Sequence, residues 1–271
     1  MVLVHGLGGS KENWMLVAPQ LAERGYRVLA PDLAGFGATP LEGRPSTLET
    51  NLEIVDAVIA RGAGPAVLVG HSMGGLIAMM QAASRPASVD RLVLLDPAVP
   101  LARTSPMKPL PTGLVNLLAR WPAIGAAAAG AIARLEGPRN LIKNAMRQYC
   151  FDSTQLDRAL VDALVAGERA RIARGRAYLG YMQAYRSMRA CLDRHADYDR
   201  EIVQQVKAPT LLVAGASDEL VPTPLIRRLA ALRPDWTYRE MEKVGHNPQM
   251  EAPARLVELM LSWLGAPNPA R

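Results

Sequence analysis

Aromatic side chains and cysteines are scarce in this chain of 271 residues. Aromatics make up only 5% of the sequence, so small apolar side chains, mainly Ala and Leu, must fill most of the core. The two cysteines, Cys150 and Cys191, are too few for a disulfide framework and lack the spacing of a metal site. We therefore expect a reduced, cytoplasmic protein with two free thiols, with one bridge between them as the alternative. We predict neither a metal centre nor a cofactor.

Long apolar runs are also missing. No stretch reaches the ~20 uninterrupted apolar residues that a membrane-spanning helix needs. The nearest approach, residues 114–135, is broken by Arg120, Pro122 and several glycines. The first residues show no basic region followed by a long apolar run, so no secretory signal is indicated.

Basic residues outnumber acidic residues, and the excess lies in the middle of the chain. The net charge is +6, but residues 101–200 alone hold 16 Lys and Arg against 8 Asp and Glu. These arginines are scattered at helical spacings, without the aromatic or glycine-rich tracts expected of a nucleic-acid-binding segment. We therefore predict a solvated basic helical surface and no nucleic-acid partner. A weak contact of this basic segment with anionic lipid at a membrane surface, or with an acidic substrate, is the alternative.

Strand and helix signals alternate in the first hundred residues and again after residue 209. The predicted strands are 1–5, 26–30, 66–69, 91–95, 210–214 and 236–241, and the predicted helices are 14–24, 47–61, 73–84, 223–232 and 252–264. Between them, residues 101–205 have helical periodicity and no convincing strand. The pattern predicts an α/β fold, a mostly parallel open sheet with helices on both faces, built from residues 1–100 and 206–271. Residues 101–205 are predicted to form an all-helical cap.

The strongest motif is the run Gly-His-Ser-Met-Gly-Gly at residues 70–75, between a predicted strand and a predicted helix. This context is typical of the G-x-S-x-G nucleophile elbow. A sharp turn strains the backbone at Ser72 and leaves no room for side chains at Gly70 and Gly74. The turn exposes the Ser72 hydroxyl. It also places the backbone N–H of Met73 at the N-terminus of the following helix, where negative charge is stabilised.

A second glycine-rich turn, His-Gly-Leu-Gly-Gly at residues 5–9, directly follows the first predicted strand. Its backbone can present a second N–H, that of Leu7, to the same oxyanion as Met73. His5 itself is better explained as a hydrogen-bonded histidine beneath this turn than as a catalytic group.

A serine hydroxyl needs a base, and the chain has four histidines. His246 follows the last predicted strand, where open α/β sheets build their sites, so we predict it as the base. The acid that orients it should lie between serine and histidine in the chain. Asp218, after the strand at 210–214, fits best. Asp96, at the end of the strand at 91–95, remains an alternative.

Five segments resemble the α/β-hydrolase superfamily, and in particular its capped carboxylesterases and monoacylglycerol-lipase-like members. They are residues 5–9, 31–37, 70–75, 214–218 and 245–246. The serine at position 72 differs from the aspartate that epoxide hydrolases and haloalkane dehalogenases resembling this family use there. The resemblance also implies a two-stranded hairpin before the first strand, which this sequence does not contain. The strand at 26–30 should then be a sheet edge, and either the natural chain starts upstream or the edge is covered by a partner or by the chain's own helices.

These features predict a serine hydrolase with a Ser72–His246–Asp218 triad, an oxyanion hole at Leu7 and Met73, and an acyl-enzyme intermediate. Apolar residues of the cap should roof the pocket and favour small apolar or lipid-like carboxylic esters as substrates. Two alternatives stay open. One is a carbon–carbon bond hydrolase acting on a ring-cleavage product, and the other is a non-catalytic ligand receptor on the same scaffold.

Overall fold

A computed structural model describes residues 1–41, 43–62, 64–100, 120–174 and 177–265. Its centre is a five-stranded sheet in which every neighbouring pair is parallel and the spatial order follows the chain order. The strands are β1 (Val2–Val4), β2 (Ala66–His71), β3 (Val89–Leu95), β4 (Thr210–Gly215) and β5 (Thr237–Met241). The parallel sheet predicted from the alternating pattern is confirmed.

Helices cover both faces of the sheet, and each face has its own hydrophobic cluster. Along β3, Leu92 and Leu94 join one cluster whereas Val93 and Leu95 join the other, because successive strand residues point to opposite faces. Strands β1, β2 and β4 are largely apolar because both faces of the central sheet are buried, whereas the edge strand β5 contains charged residues. The helices of this region are α1 (Ala18–Glu23), α2 (Leu48–Ile59), α3 (Met73–Ser84), α9 (Thr223–Leu232), α10 (Pro248–Glu251) and α11 (Pro253–Leu264). Helices α2, α3 and α9 pack on one face, and α1 and α11 on the other.

Between β3 and β4, the described residues 120–174 and 177–205 form helices joined by short turns and contain no strand. Its helices are α4 (Pro122–Glu136), α5 (Pro138–Tyr149), α6 (Arg158–Ala173), α7 (Ala177–Leu192) and the short α8 (His195–Asp197), followed by a π-helical turn at Tyr198–Ile202. Residues 101–119 of the predicted cap, including its apolar run at 114–118, lie outside the described residues. We refer to residues 101–205 as the helical insertion.

Helix α7 joins the insertion to the sheet region. Its Gln183 and Ser187 side chains accept hydrogen bonds from the backbone N–H groups of Ser46 and Leu48, at 2.9 and 3.0 Å. These bonds satisfy backbone donors at the N-terminus of α2, where the helix itself offers no acceptors. The insertion is thereby fixed to the core beside the predicted site.

The strand predicted at 26–30 is wrong. Leu29 makes only an isolated parallel bridge to Val2, with one bond from Leu3 N to Leu29 O and one from Leu29 N to Met1 O, each 2.9 Å long. The segment does lie at the sheet edge, as predicted. These two backbone bonds, to Met1 and Leu3, are too few to form a regular strand.

The structure also corrects the predicted start of helix α1 and decides between the two alternatives for the cysteines. Helix α1 begins at Ala18 rather than at Trp14, because residues 11–14 form a tighter 3₁₀ turn and Pro19 lies in the first turn of the helix. Both cysteines are free thiols, so the alternative of a Cys150–Cys191 bridge does not hold. None of the helices in the described ranges combines the length and apolar character needed to cross a membrane.

Candidate active site

Ser72 occupies a strained turn between β2 and α3. Its φ is 53° and its ψ is −120°, a conformation that a residue with a side chain rarely adopts. A Cβ at Gly70 would collide with the Gly74 carbonyl, and a Cβ at Gly74 would collide with the backbone carbonyls of Val4 and His5. Both glycines are therefore required by the tight approach, as the sequence analysis predicted.

The glycine-rich turn after β1 lies directly against this elbow. A Cβ added to Gly6 would be 3.0 Å from the Cβ of Ser72. Among the described residues, no acceptor bonds the backbone N–H of Leu7 or of Met73. Two backbone donors without an acceptor among the described residues therefore lie in the two loops that meet at Ser72.

His5 is buried beneath that turn. Its Nε2 accepts a hydrogen bond from Leu33 N at 3.0 Å, so its Nδ1 carries the proton and donates to Gly6 O at 2.8 Å. Burial lowers the pKa of His5 to about 4, which keeps the ring neutral. Both ring nitrogens are occupied, and His5 supports the turn structurally as predicted.

His246 is paired with Asp218. Its Nδ1 lies 2.7 Å from Asp218 Oδ2, and both side chains are buried. The other Asp218 oxygen accepts bonds from the backbone N–H groups of Leu220 and Val221, at 2.7 and 3.0 Å. The carboxylate is thus held rigidly, and it directs the Nε2 of His246 away from itself.

Asp96 lies next to this pair but does not contact the histidine ring. Its two oxygens accept from Gly215 N at 3.0 and 3.1 Å. Burial raises the pKa of Asp96 well above its usual value, and the charge of Asp218 adds to the effect. The geometry therefore favours Asp218 over Asp96 as the partner of His246.

His71 is a member of this site that sequence reasoning did not identify. Its Nε2 donates to the backbone carbonyl of His246 at 2.7 Å, and the two rings lie 4.8 Å apart. Burial lowers the pKa of His71 well below its usual value, and the neighbouring His246 lowers it further. Because His71 precedes Ser72, this bond ties the elbow to the loop of His246. Among the described residues, the Ser72 hydroxyl itself makes no hydrogen bond to His246.

The site also contains side-chain atoms of the kinds that ligate metal ions. Within the described ranges, one group of three metal-type ligands occurs, formed by Asp96, Asp218 and His246 with atoms within 4.8 Å of one another. Its facing atoms are already used, since His246 bonds Asp218 and Asp96 bonds Gly215. The donor set therefore fits a hydrogen-bonded acid–base pair better than a cation site.

Comparison with known proteins identifies the family. A model described as "Alpha/beta hydrolase family" matches residues 1–259. The chain is 30% identical over 259 residues to a pimeloyl-[acyl-carrier protein] methyl ester esterase of Aromatoleum aromaticum, covering 93% of each protein. It is 26% identical over 271 residues to a 2-hydroxy-6-oxononadienedioate/2-hydroxy-6-oxononatrienedioate hydrolase of Paraburkholderia phymatum, covering 98% of this chain and 86% of that one.

The fold agrees with this assignment. The crystal structure of a putative lipase from Acinetobacter baumannii superposes with a TM-score of 0.73 at 23% identity, covering 97% of this chain and 82% of the other. At that identity the likeness concerns the fold alone. The family match over most of the sequence, together with a parallel sheet carrying a strained Ser72 turn, leads to one conclusion: the chain is a member of the α/β-hydrolase family.

Proposed function

We propose that this α/β-hydrolase cleaves carboxylic esters with Ser72 as nucleophile, His246 as base and Asp218 as the acid that orients the base. The observation that carries the proposal is the strained Ser72 turn, against which the Leu7 loop packs, beside a buried His246–Asp218 pair. The esterase relative supports the ester bond as the target.

The reaction follows from the chemistry of these groups. Ser72 Oγ attacks the ester carbonyl while His246 Nε2 takes its proton, and Asp218 stabilises the imidazolium. The oxyanion accepts hydrogen bonds from Leu7 N and Met73 N, each worth roughly 3 kcal/mol in the transition state. The alcohol leaves with the proton from His246. Water then attacks the acyl-enzyme by the same route and frees Ser72.

The helical insertion, residues 101–205, is proposed to act as a cap over the site. The ring of Tyr149, at the end of α5, lies 6.4 Å from the ring of His246. The ring of Tyr181, in α7, would be 3.3 Å from a Cβ at Gly8 in the oxyanion loop. Aromatic groups from two insertion helices therefore border the site. Their presence supports small apolar or lipid-like esters as substrates.

A carbon–carbon bond hydrolase is the second candidate. It is supported by the relative from Paraburkholderia phymatum, which covers nearly the whole chain. The two candidates are separated by presenting a p-nitrophenyl ester and a ring-cleavage dienoate precursor to the same enzyme. Turnover of the second substrate without the first would replace the ester proposal.

The decisive test is covalent labelling with a fluorophosphonate, followed by a p-nitrophenyl ester series of increasing acyl length. The parent enzyme should label and hydrolyse, Ser72→Ala should do neither, and Ser84→Ala, at an exposed position of α3, should match the parent. Labelling that persists in Ser72→Ala would overturn the assignment.

We also propose a weak contact between the helical insertion and anionic lipid surfaces. The outward face of α4 is apolar, with Ile124, Ile132 and Leu135 exposed by 60%, 50% and 88%. Residues 120–151 around it carry five basic side chains and one acidic side chain. An apolar face flanked by cations favours the interface of a membrane with anionic headgroups. A cytoplasmic location, which the free thiols support, would expose this face to such lipids.

A further inference from the structure

We infer that Glu251 is a positioning residue for His246, which joins the loop of the base to the helical insertion through backbone hydrogen bonds. This inference rests on the proposed function, in which His246 is the base. Glu251 is the last residue of the short helix α10, which follows the base directly in the chain.

The Glu251 carboxylate holds the backbone on both sides of His246. Its Oε2 accepts a bond from Gly245 N and its Oε1 accepts one from Asn247 N, each 3.0 Å long. Asn247 N and Gly245 N flank the base by one residue in each direction. The backbone direction on either side of the histidine is therefore set by one side chain.

The remaining N–H of this loop is bound by the insertion. His246 N donates to Tyr149 O, at the end of α5, at 2.7 Å. Glu251 also reaches the insertion, because its Oε2 accepts a second bond, from Phe151 N, at 2.7 Å. All three backbone N–H groups of residues 245–247 are thus satisfied by Glu251 or by the insertion.

The two backbones lie too close for any side chain at position 245. A Cβ on Gly245 would lie 2.7 Å from Tyr149 O and 2.8 Å from Phe151 N. This close packing explains a glycine before the base, and Glu251 bridges the two segments alongside the bond from His246 N to Tyr149 O. The position of the base is therefore set jointly by α10 and by residues 149–151.

An ionised carboxylate suits this role because three N–H donors converge on it. Glutamine has the same shape but brings an NH₂ group, which has no lone pair to offer. At least one of the three N–H groups would lose its acceptor in Glu251→Gln. Since Glu251 contacts the backbone of the base and not its ring, the result should be a displaced base rather than an altered proton affinity.

The test compares Glu251→Gln with Glu258→Gln, an exposed glutamate in the neighbouring helix α11. We expect Glu251→Gln to lower kcat by about 10–100-fold with KM within about twofold, because a base displaced by ~1 Å costs roughly that factor. The fluorophosphonate labelling rate should fall in parallel. Glu258→Gln should match the parent.

Hydrogen exchange supplies a readout that general destabilisation does not reproduce. Amides of residues 245–247 and 149–151 should exchange faster together in Glu251→Gln, while those of β2 and β3 stay protected. Loss of activity with no faster exchange at residues 149–151 would overturn the inference. So would a rise in KM at unchanged kcat.

Phe151→Pro tests the same link from the side of the insertion and serves if Glu251→Gln does not fold. It removes one N–H donor to Glu251, and the preceding Cys150 is already extended (φ −106°, ψ 148°), as a residue before proline requires. Phe151 is 53% exposed, so its side chain contributes little to the packing. A loss of kcat in this variant is therefore attributed to the lost bond between Phe151 N and Glu251. Parent-like kcat in both variants, with Ser72→Ala inactive, would reject the inference while leaving the proposed function intact.

Discussion

At the scale of single residues, three buried histidines have different tasks because they have different partners. His5 supports the oxyanion loop with both ring nitrogens. His71 donates to the backbone of the base loop, and His246 alone is paired with a carboxylate. Burial without a carboxylate partner keeps the first two neutral, whereas Asp218 can stabilise a positive charge on His246. The three roles follow from hydrogen-bond partners rather than from residue type.

The two neighbouring aspartates should differ sharply on substitution. Asp218→Asn should lower kcat by roughly 10⁴-fold, because an amide cannot hold the histidine tautomer or stabilise its cation. Asp96→Asn should lower it by less than about tenfold. Asp96 bonds Gly215 N rather than the histidine, and an amide oxygen can still accept that bond. Steady-state kinetics of the two variants measure this, and equal losses would contradict the assignment of the acid.

Acid should destabilise the fold through His5. Its pKa is about 4 in the folded chain against 6.5 for the free side chain, so unfolding takes up a proton in this range. Stability is complete above pH 6.5 and falls as the pH drops towards 4, by about 1.4 kcal/mol per pH unit from this group. Urea unfolding at pH 7, 6 and 5 should show a shallower decline in His5→Gln than in the parent. His195→Gln is the control, and a parallel decline in all three proteins would refute the prediction.

At the scale of elements, β2, the turn at Ser72 and α3 form one unit whose geometry depends on two glycines. The turn is strained, so the surrounding backbone must hold it in place. The neighbouring strand β3 supplies part of this support, because Ser72 N donates to Leu95 O, and the helix supplies more, because Gly75 N donates to Ser72 O. The elbow is therefore a property of the packed sheet as well as of its own sequence.

Replacing Gly74 should disrupt this unit. Gly74→Ala brings a Cβ into the Val4 and His5 carbonyls, so β1 and α3 must separate, at a cost of about 3 kcal/mol or more and with loss of activity. Gly167→Ala is the matched control in the middle of α6, where a Cβ meets nothing within 4 Å. This control should stabilise by about 0.5–1 kcal/mol. Thermal unfolding measures the stability of both variants. A Gly74→Ala variant as stable as the parent would contradict the prediction.

At the scale of the whole molecule, the helical insertion contacts the site at both of its loops. Arg171 in α6 donates to Gly8 O in the oxyanion loop at 2.6 Å and pairs with the buried Glu168. On the other side, residues 149–151 bind the base loop. The insertion is thus attached to the two loops that carry the proposed oxyanion donor and the proposed base, and it also presents the apolar face of α4 outward.

Membrane binding should depend on that face. Vesicles containing phosphatidylglycerol should bind the parent, and a double variant Ile124→Ser with Leu135→Ser should bind about tenfold or more weakly, because buried apolar area sets the affinity. Leu232→Ser, at a 41% exposed position of α9, is the control. Cosedimentation measures the binding. Equal binding by the parent and the double variant, or none to anionic vesicles, would rule out α4 as the contact.

Local patterns were sufficient to predict much of this protein. Apolar runs predicted β1 to β4, because strands buried on both faces are largely apolar, whereas β5 at the sheet edge has mixed polarity. Helices α3 and α9 begin and end where predicted. Gly70 of the elbow is demanded by a clash with its near neighbour Gly74, so this part of the motif is local, whereas Gly74 is demanded by the distant residues Val4 and His5.

Other features were decided only by the tertiary structure. The segment at 26–30 makes only a single bridge to β1, which no local pattern encodes. The choice of Asp218 over Asp96, the bond from His71 to the base loop and the convergence of three N–H groups on Glu251 all join residues distant in the chain. The sequence by itself determined which chemistry is available, because residue type and backbone strain are local. Which groups meet depended on packing, because hydrogen bonds between distant segments form only when the sheet and the insertion bring them together.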